Sequence, residues 1–170
     1  AFSSGWSGAG FALLQLYQVT GEQTNADTVN SIVEQAIRDA RPAASGEGYE
    51  WSTFQGIVGN AGTVLFLLKA AEVLQNKKFR DFALDAGQTF LHQGRSMGDG
   101  RIVYQGVDPV YFGAGKDYID PNFPMGTGGI AFALLKLYEA SGDKRFLDAV
   151  TGVTEYMDTA AVKMKAGKLL

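Results

Sequence analysis

The chain has no cysteine and a single histidine, His92, among its 170 residues. The first absence excludes disulfides, thiolate metal ligands and a thiol nucleophile. The second excludes a multi-histidine metal site built from these residues. No apolar run reaches the length that crosses a bilayer, and 46% hydrophobic with 19% charged residues is the composition of a soluble globular chain with no membrane span. A basic stripe with interleaved aromatics is also missing, which argues against a nucleic-acid partner. The net charge of −3 is mild, with acids and bases interspersed. The last ten residues, AVKMKAGKLL, carry three lysines and no acid, a tail suited to solvent or to an acidic partner. No secretion signal or lipidation motif is visible, and the start at Ala1 without an initiator Met is compatible with a processed or trimmed chain. Extracellular and cytoplasmic locations both stay open.

What the chain does have is a repeat. Gly5-Trp-Ser-Gly8, Gly59-Asn-Ala-Gly62 and Gly126-Thr-Gly-Gly129 align at offsets of 54 and 67 residues, with no gap over the following thirty positions. Ala12-Leu-Leu-Gln-Leu-Tyr17 then falls on Ala133-Leu-Leu-Lys-Leu-Tyr138, and Thr20-Gly21 on Ser141-Gly142. Each unit opens with a segment apolar almost all round, as in a helix buried on most sides. An amphipathic segment follows, in which Val29, Ile32, Val33 and Ala36 recur at helical spacing, as do Phe79, Phe82, Ala83, Ala86 and Phe90. The pattern predicts an all-α array of three tandem helical hairpins, an incomplete α/α toroid with one inner and one outer helix per unit. Residues 1–170 are expected to form one domain with units at about 5–40, 59–93 and 126–160. Asp143 is placed to cap the last outer helix. The paired glycines suit close packing at the start of an inner helix better than a phosphate cradle, since no Lys-Ser/Thr follows them.

Two long connections, 41–55 and 94–125, feed the N-termini of inner helices and should gather at one end. The second contains Asp99-Gly-Arg-Ile-Val-Tyr104, readable as a short β-hairpin arm. Connections of this length tend to carry function. They hold Glu47, Tyr49, Glu50 and Trp51, then Asp99, Arg101, Tyr104, Asp108, Tyr111, Asp117, Tyr118 and Asp120. Glu50 and Asp108 are the candidate catalytic carboxylates, and Trp51, Tyr104, Tyr111 and Tyr118 the candidate binding rings, of a sugar-processing site. Asp-Gly and Asp-Pro are also ordinary turn chemistry. His92, near the end of an outer helix, fits an interaction with that helix terminus better than a catalytic base.

The middle unit, Phe54-Gln-Gly-Ile-Val-Gly-Asn-Ala-Gly62, resembles the Cys-His-Gly-x-x-Gly-Asn segment of the lanthionine synthetase C-like family. Phe2-Ser-Ser-Gly-Trp-Ser-Gly8 is similar to that family's Trp-Cys-x-Gly-x-x-Gly segment, and the third unit looks like a generic family repeat. The resemblance implies an α/α toroid of seven inner and seven outer helices around a zinc held by two cysteines and a histidine. That zinc would activate a thiol for attack on a dehydroamino acid. The matching positions here are Ser3, Phe54 and Gln55. A second register, allowed by the overlapping glycines Gly56, Gly59 and Gly62, puts Ile57 and Val58 there instead. Neither set holds zinc, so no metal and no cofactor is expected. Three hairpins would leave an open arc, which implies self-association or further repeats closing it. The expected function is a zinc-free binding or assembly module for a peptide or a carbohydrate. A carbohydrate-active hydrolase or lyase of the toroid type is the alternative.

Overall fold

The structure, a computed structural model, describes residues 5–107, 113 and 118–161. Three helical hairpins make up most of it: α1 (Trp6–Thr20) with α2 (Gln23–Asp39), α3 (Asn60–Val73) with α4 (Lys77–Gln93), and α5 (Thr127–Ser141) with α6 (Lys144–Ala160). Gly5, Gly59 and Gly126 are the N-caps of α1, α3 and α5. The repeat register read from the sequence is therefore the register of the fold. Helix α1 packs on α3 and α3 on α5, whereas the outer helices lie on their partners and touch one another far less. The array accordingly curves, with the apolar helices on its inner side.

Two continuous clusters form the core. Leu14, Val29, Val33, Phe66 and Phe79 join the first two hairpins, and Phe90, Tyr104, Ile130, Leu137 and Phe146 join the second and third. Burial of each large side chain contributes about 1.5–3 kcal/mol. Gly10 lets α1 approach α3 closely, because a Cβ there would run into the Phe66 ring. The expectation that inner helices are covered on most sides holds for α3. It fails for α1, which buries only Ser7, Gly10 and Leu14 and leaves Val19 85% exposed. Among the described elements α1 packs chiefly on α2 and α3, whereas α5 also packs on α4 and has the second connection folded over its start.

The helix ends follow local chemistry. Asp143 caps α6 as anticipated, accepting from the Arg145 N–H at 3.0 Å. Its carboxyl is held below the ordinary range, chiefly by hydrogen bonding from the Arg145 side chain. The inner helices α1 and α5 end on Gly21 and Gly142, at φ of 70° and 73°. The aligned position in the middle hairpin is Gln75, at φ 51°, the sole non-glycine with positive φ among the described residues. There the Asn76 N–H reaches the Ala71 carbonyl at 2.9 Å, closing a turn that favours glycine. A left-handed residue with a Cβ costs about 1–2 kcal/mol, partly offset by the greater unfolded-state entropy of glycine. Gln75→Gly is thus expected to stabilise the fold by about 0.5–1 kcal/mol, read as a higher midpoint of urea unfolding.

The long connections are short-stranded rather than irregular. β1 (Arg41–Pro42) pairs with β2 (Tyr49–Glu50), and β3 (Arg95–Ser96) with β4 (Ile102–Val103), both antiparallel. The second pair is the arm expected in 94–125; the first was not legible in the sequence. The β4 strand lies on α6, where Gly152 gives room for Ile102.

Candidate functional site

At the loop end, the chain folds back onto the starts of the inner helices. The N–H groups of Asn60 and Ala61 donate to the carbonyls of Phe54 and Gln55 at 2.9 and 3.0 Å, and that of Thr127 to Asp120 at 2.8 Å. A Cβ at Gly59, Gly126 or Gly129 would fall on the carbonyl of Phe54, Asp120 or Phe123. The paired glycines therefore serve close backbone approach. The donors that a phosphate cradle at α3 would need are already taken.

Asn60 organises this end. Its side chain is fully buried; Oδ1 accepts from the N–H of Trp51 at 2.9 Å and of Ser52 at 3.0 Å. Its Nδ2 donates to the Ser52 carbonyl at 2.9 Å and to Gln55 Oε1 at 2.7 Å. Gln55 Nε2 in turn donates to Glu50 Oε1 at 3.5 Å, which also accepts from Gln93 Nε2 at 2.7 Å and Thr89 Oγ1 at 3.4 Å. The residues that match the family's zinc ligands do not fit the ion. The Phe54 side chain offers no lone pair, the Gln55 side-chain oxygen is committed to Asn60, and among the described residues no group of three His, Cys, Asp or Glu is placed to hold a metal. Ser3 lies outside the described residues.

Of the residues proposed for a sugar site, Asp108 and Tyr111 also lie outside the described residues. Tyr104 corrects the expectation of a binding ring: it is 1% exposed, inside the core, and burial pushes its phenol above the ordinary range. Trp51 is half-buried; its Nε1 donates to the Ala36 carbonyl at 2.7 Å and its ring sits edge-on to Phe82, so it pins α2 to α4. Tyr118 is exposed at 49%. The loop carboxylates are engaged one by one. Glu47 meets His92 Nε2 at 2.9 Å, Glu50 serves the amide network, Asp99 pairs with Arg101, and Asp120 accepts from the Asn122 N–H at 2.9 Å. His92 is held by Glu47 in the last turn of α4.

A larger feature was missed by reading the loops alone. An open groove of about 810 Å³ runs along the inner helices. Phe11, Leu65, Leu68 and Phe132 line it with Ile57 and Phe123 from the connections, and its other end is charged. There Lys69 pairs with Glu72 at 3.0 Å and Lys136 with Glu139 at 2.7 Å. Arg80 donates through Nε at 3.2 Å and through Nη2 to the Ala140 carbonyl at the end of α5, with no carboxylate partner among the described residues. Phe132 is 39% exposed, stacks at a tilt on Phe123 at 5.6 Å and lies under Lys136 Nζ at 5.5 Å. The signal available in sequence was the all-round apolarity of the inner segments. On an open arc, such a segment leaves one apolar side without a helix against it.

Three solved structures share this helical fold. The α-1,6-mannanase GH76A of Salegentibacter sp. HEL1_6 matches with a TM-score of 0.60 at 17% identity, over 88% of this chain and 45% of that one. An inactive double-aspartate variant of the same enzyme, in complex with α-1,6-mannotetrose, gives 0.60 at 16% identity, over 96% of this chain and 49% of that one. The glycoside hydrolase family 76 mannosidase of Bacteroides thetaiotaomicron VPI-5482 gives 0.58 at 16% identity, over 95% of this chain and 46% of that one. The likeness is one of fold, and the chain spans about half the length of these α/α toroids. A search of the curated proteins finds no match. The family model of the lanthionine synthetase C-like proteins matches residues 1–85, half of the chain. That match begins before the first glycine pair and runs through the Gly59-Asn60 motif, whose buried amide fixes the loop end, and with it this chain belongs to the lanthionine synthetase C-like family.

Proposed function

We propose that the chain is a zinc-free binding module of its family, whose inner-face groove takes an apolar peptide segment without chemical change to it. The observation that carries this reading is the contrast between the two ends of the inner face. At the family's ligand positions Phe54 and Gln55 offer no metal site, and the Gln55 amide is tied to Asn60 and Glu50. Beside them, an open groove is lined by phenylalanine, leucine and isoleucine side chains. An extended peptide would bury alternate apolar side chains on Phe11, Leu68 and Phe132. Its terminal carboxylate would reach Arg80, whose guanidinium keeps unused donors. Exposed Leu16 and Val19 on α1 support docking of that arc end against further hairpins or a second copy.

The zinc half of the reading is tested by dialysing the purified protein against micromolar zinc and counting bound metal by mass spectrometry. The expected result is far less than one equivalent, with an unfolding midpoint indifferent to EDTA. One equivalent that resists the chelator, or a midpoint that drops on its removal, would refute a zinc-free module.

A further inference from the structure

The hairpin-turn end, opposite the long connections, holds a second cavity of about 420 Å³ between the first and second hairpins. Its polar lining is Tyr17, Gln23, Asp27, Asn30, Gln75 and Asn76. Gln75 is the residue held at φ 51° where both other repeats carry glycine. The fold tolerates a strained turn in the one hairpin whose turn residue borders this cavity. Strain retained at a single position is a reason to ask what the side chain does there.

The chemistry of the lining is specific. Four of the six groups are primary amides, each presenting donors and an acceptor, and one is a phenol. The amides are only partly used: Gln23 Nε2 donates to Asp27 Oδ1 at 3.0 Å, and Asn76 Oδ1 caps α4 by accepting from the Phe79 N–H at 3.3 Å. Tyr17, Asn30 and Gln75 make no side-chain hydrogen bond among the described residues. Among the described residues Asp27 is the sole charged group of the lining and would repel an anion, and none of them brings a cation to the cavity. Amides grouped around one carboxylate, beside a half-buried aromatic ring, complement a neutral ligand dense in hydroxyl groups. Each vicinal hydroxyl pair can donate to one amide oxygen and accept from a neighbouring N–H, while the ring covers a C–H face.

We infer that this turn-end cavity is a binding site for a neutral sugar, with Gln75 kept in its left-handed conformation so that its amide faces the ligand. The site does not depend on what the inner groove binds. Gln75 and Asn76 border both openings, whereas Asn30 borders the turn-end cavity alone.

The test is a titration of the ¹⁵N-labelled chain with α-1,6-mannotriose and with maltotriose, followed by amide shifts, on the wild type, Gln75→Gly and Asn30→Ala. Saturable shifts at Gln23, Asn30 and Gln75 are expected for at least one sugar, with dissociation in the millimolar range typical of small neutral ligands. Both substitutions should weaken binding at least fivefold, and Gln75→Gly should do so while raising the unfolding midpoint. Asn30→Ala guards against a folding artefact, since the Asn30 side chain is exposed and makes no hydrogen bond among the described residues. No saturable shift at these residues, shifts confined to the inner groove, or affinity that survives either substitution would overturn the proposal.

Discussion

Asn60→Ala is expected to destabilise the chain by about 3–5 kcal/mol, a large share of the roughly 5–15 kcal/mol that holds a domain folded. The side chain is fully buried and makes four hydrogen bonds, at 2.7–3.0 Å, to residues 51, 52 and 55. Alanine removes all four and leaves the N–H groups of Trp51 and Ser52 and the Ser52 carbonyl unpaired in a confined space. Each such group costs about 1–3 kcal/mol, and partial entry of water recovers some of the sum. Asn60→Asp should not rescue. Its carboxylate keeps the acceptor for the two N–H groups but faces the Ser52 carbonyl and Gln55 Oε1, and a buried charge without a counter-ion is costly. Urea unfolding measures the loss, and hydrogen exchange at Trp51 and Ser52 locates it. A change below about 1 kcal/mol would mean that the loop end does not hang on this amide.

The second large effect concerns the groove. Phe132→Asp is expected to lower affinity for an apolar peptide by about thirtyfold, the loss of roughly 2 kcal/mol typical of a central aromatic anchor. Phe132 is on the solvent side of α5, where it meets Phe123 and the Lys136 ammonium, so its removal leaves the core packing of Ile130, Leu134 and Leu137 in place. Phe132→Leu keeps apolar area and should retain most of the affinity. Fluorescence anisotropy of a labelled peptide distinguishes the two variants, and equal binding by both would remove the groove from the account.

The helical part of this fold was legible because its signals are local. A glycine before each inner helix, an amphipathic stripe on each outer one and Asp143 at a cap position act within a turn or two of chain. The connections were legible only in part. All four strands are two residues long, too short to show alternation; the β3–β4 arm was visible only from the turn at Asp99-Gly100 and the apolar Ile102-Val103 after it, whereas β1 and β2 carry no such apolar run. Aromatics in long loops were read as ligand platforms, whereas Tyr104 and Trp51 fold back to fill and pin the core. That choice depends on the distance between elements far apart in sequence, which periodicity does not carry. Asn60 stood inside a recognised motif without a role, because its partners are backbone groups that any sequence supplies. Gln75 was the plainest missed signal: aligning the turns places it against Gly21 and Gly142, and the mismatch alone marks a strained position.

We propose that this chain acts through its open inner face and not through a metal at the loop end. The most direct test is an amide-shift titration with a peptide of alternating leucine and serine that ends in a free carboxylate. Saturable shifts are expected at Leu65, Leu68, Arg80 and Phe132, and should be lost in Phe132→Asp. Shifts confined to Glu50, Gln55 and Gln93, or none at all, would contradict it.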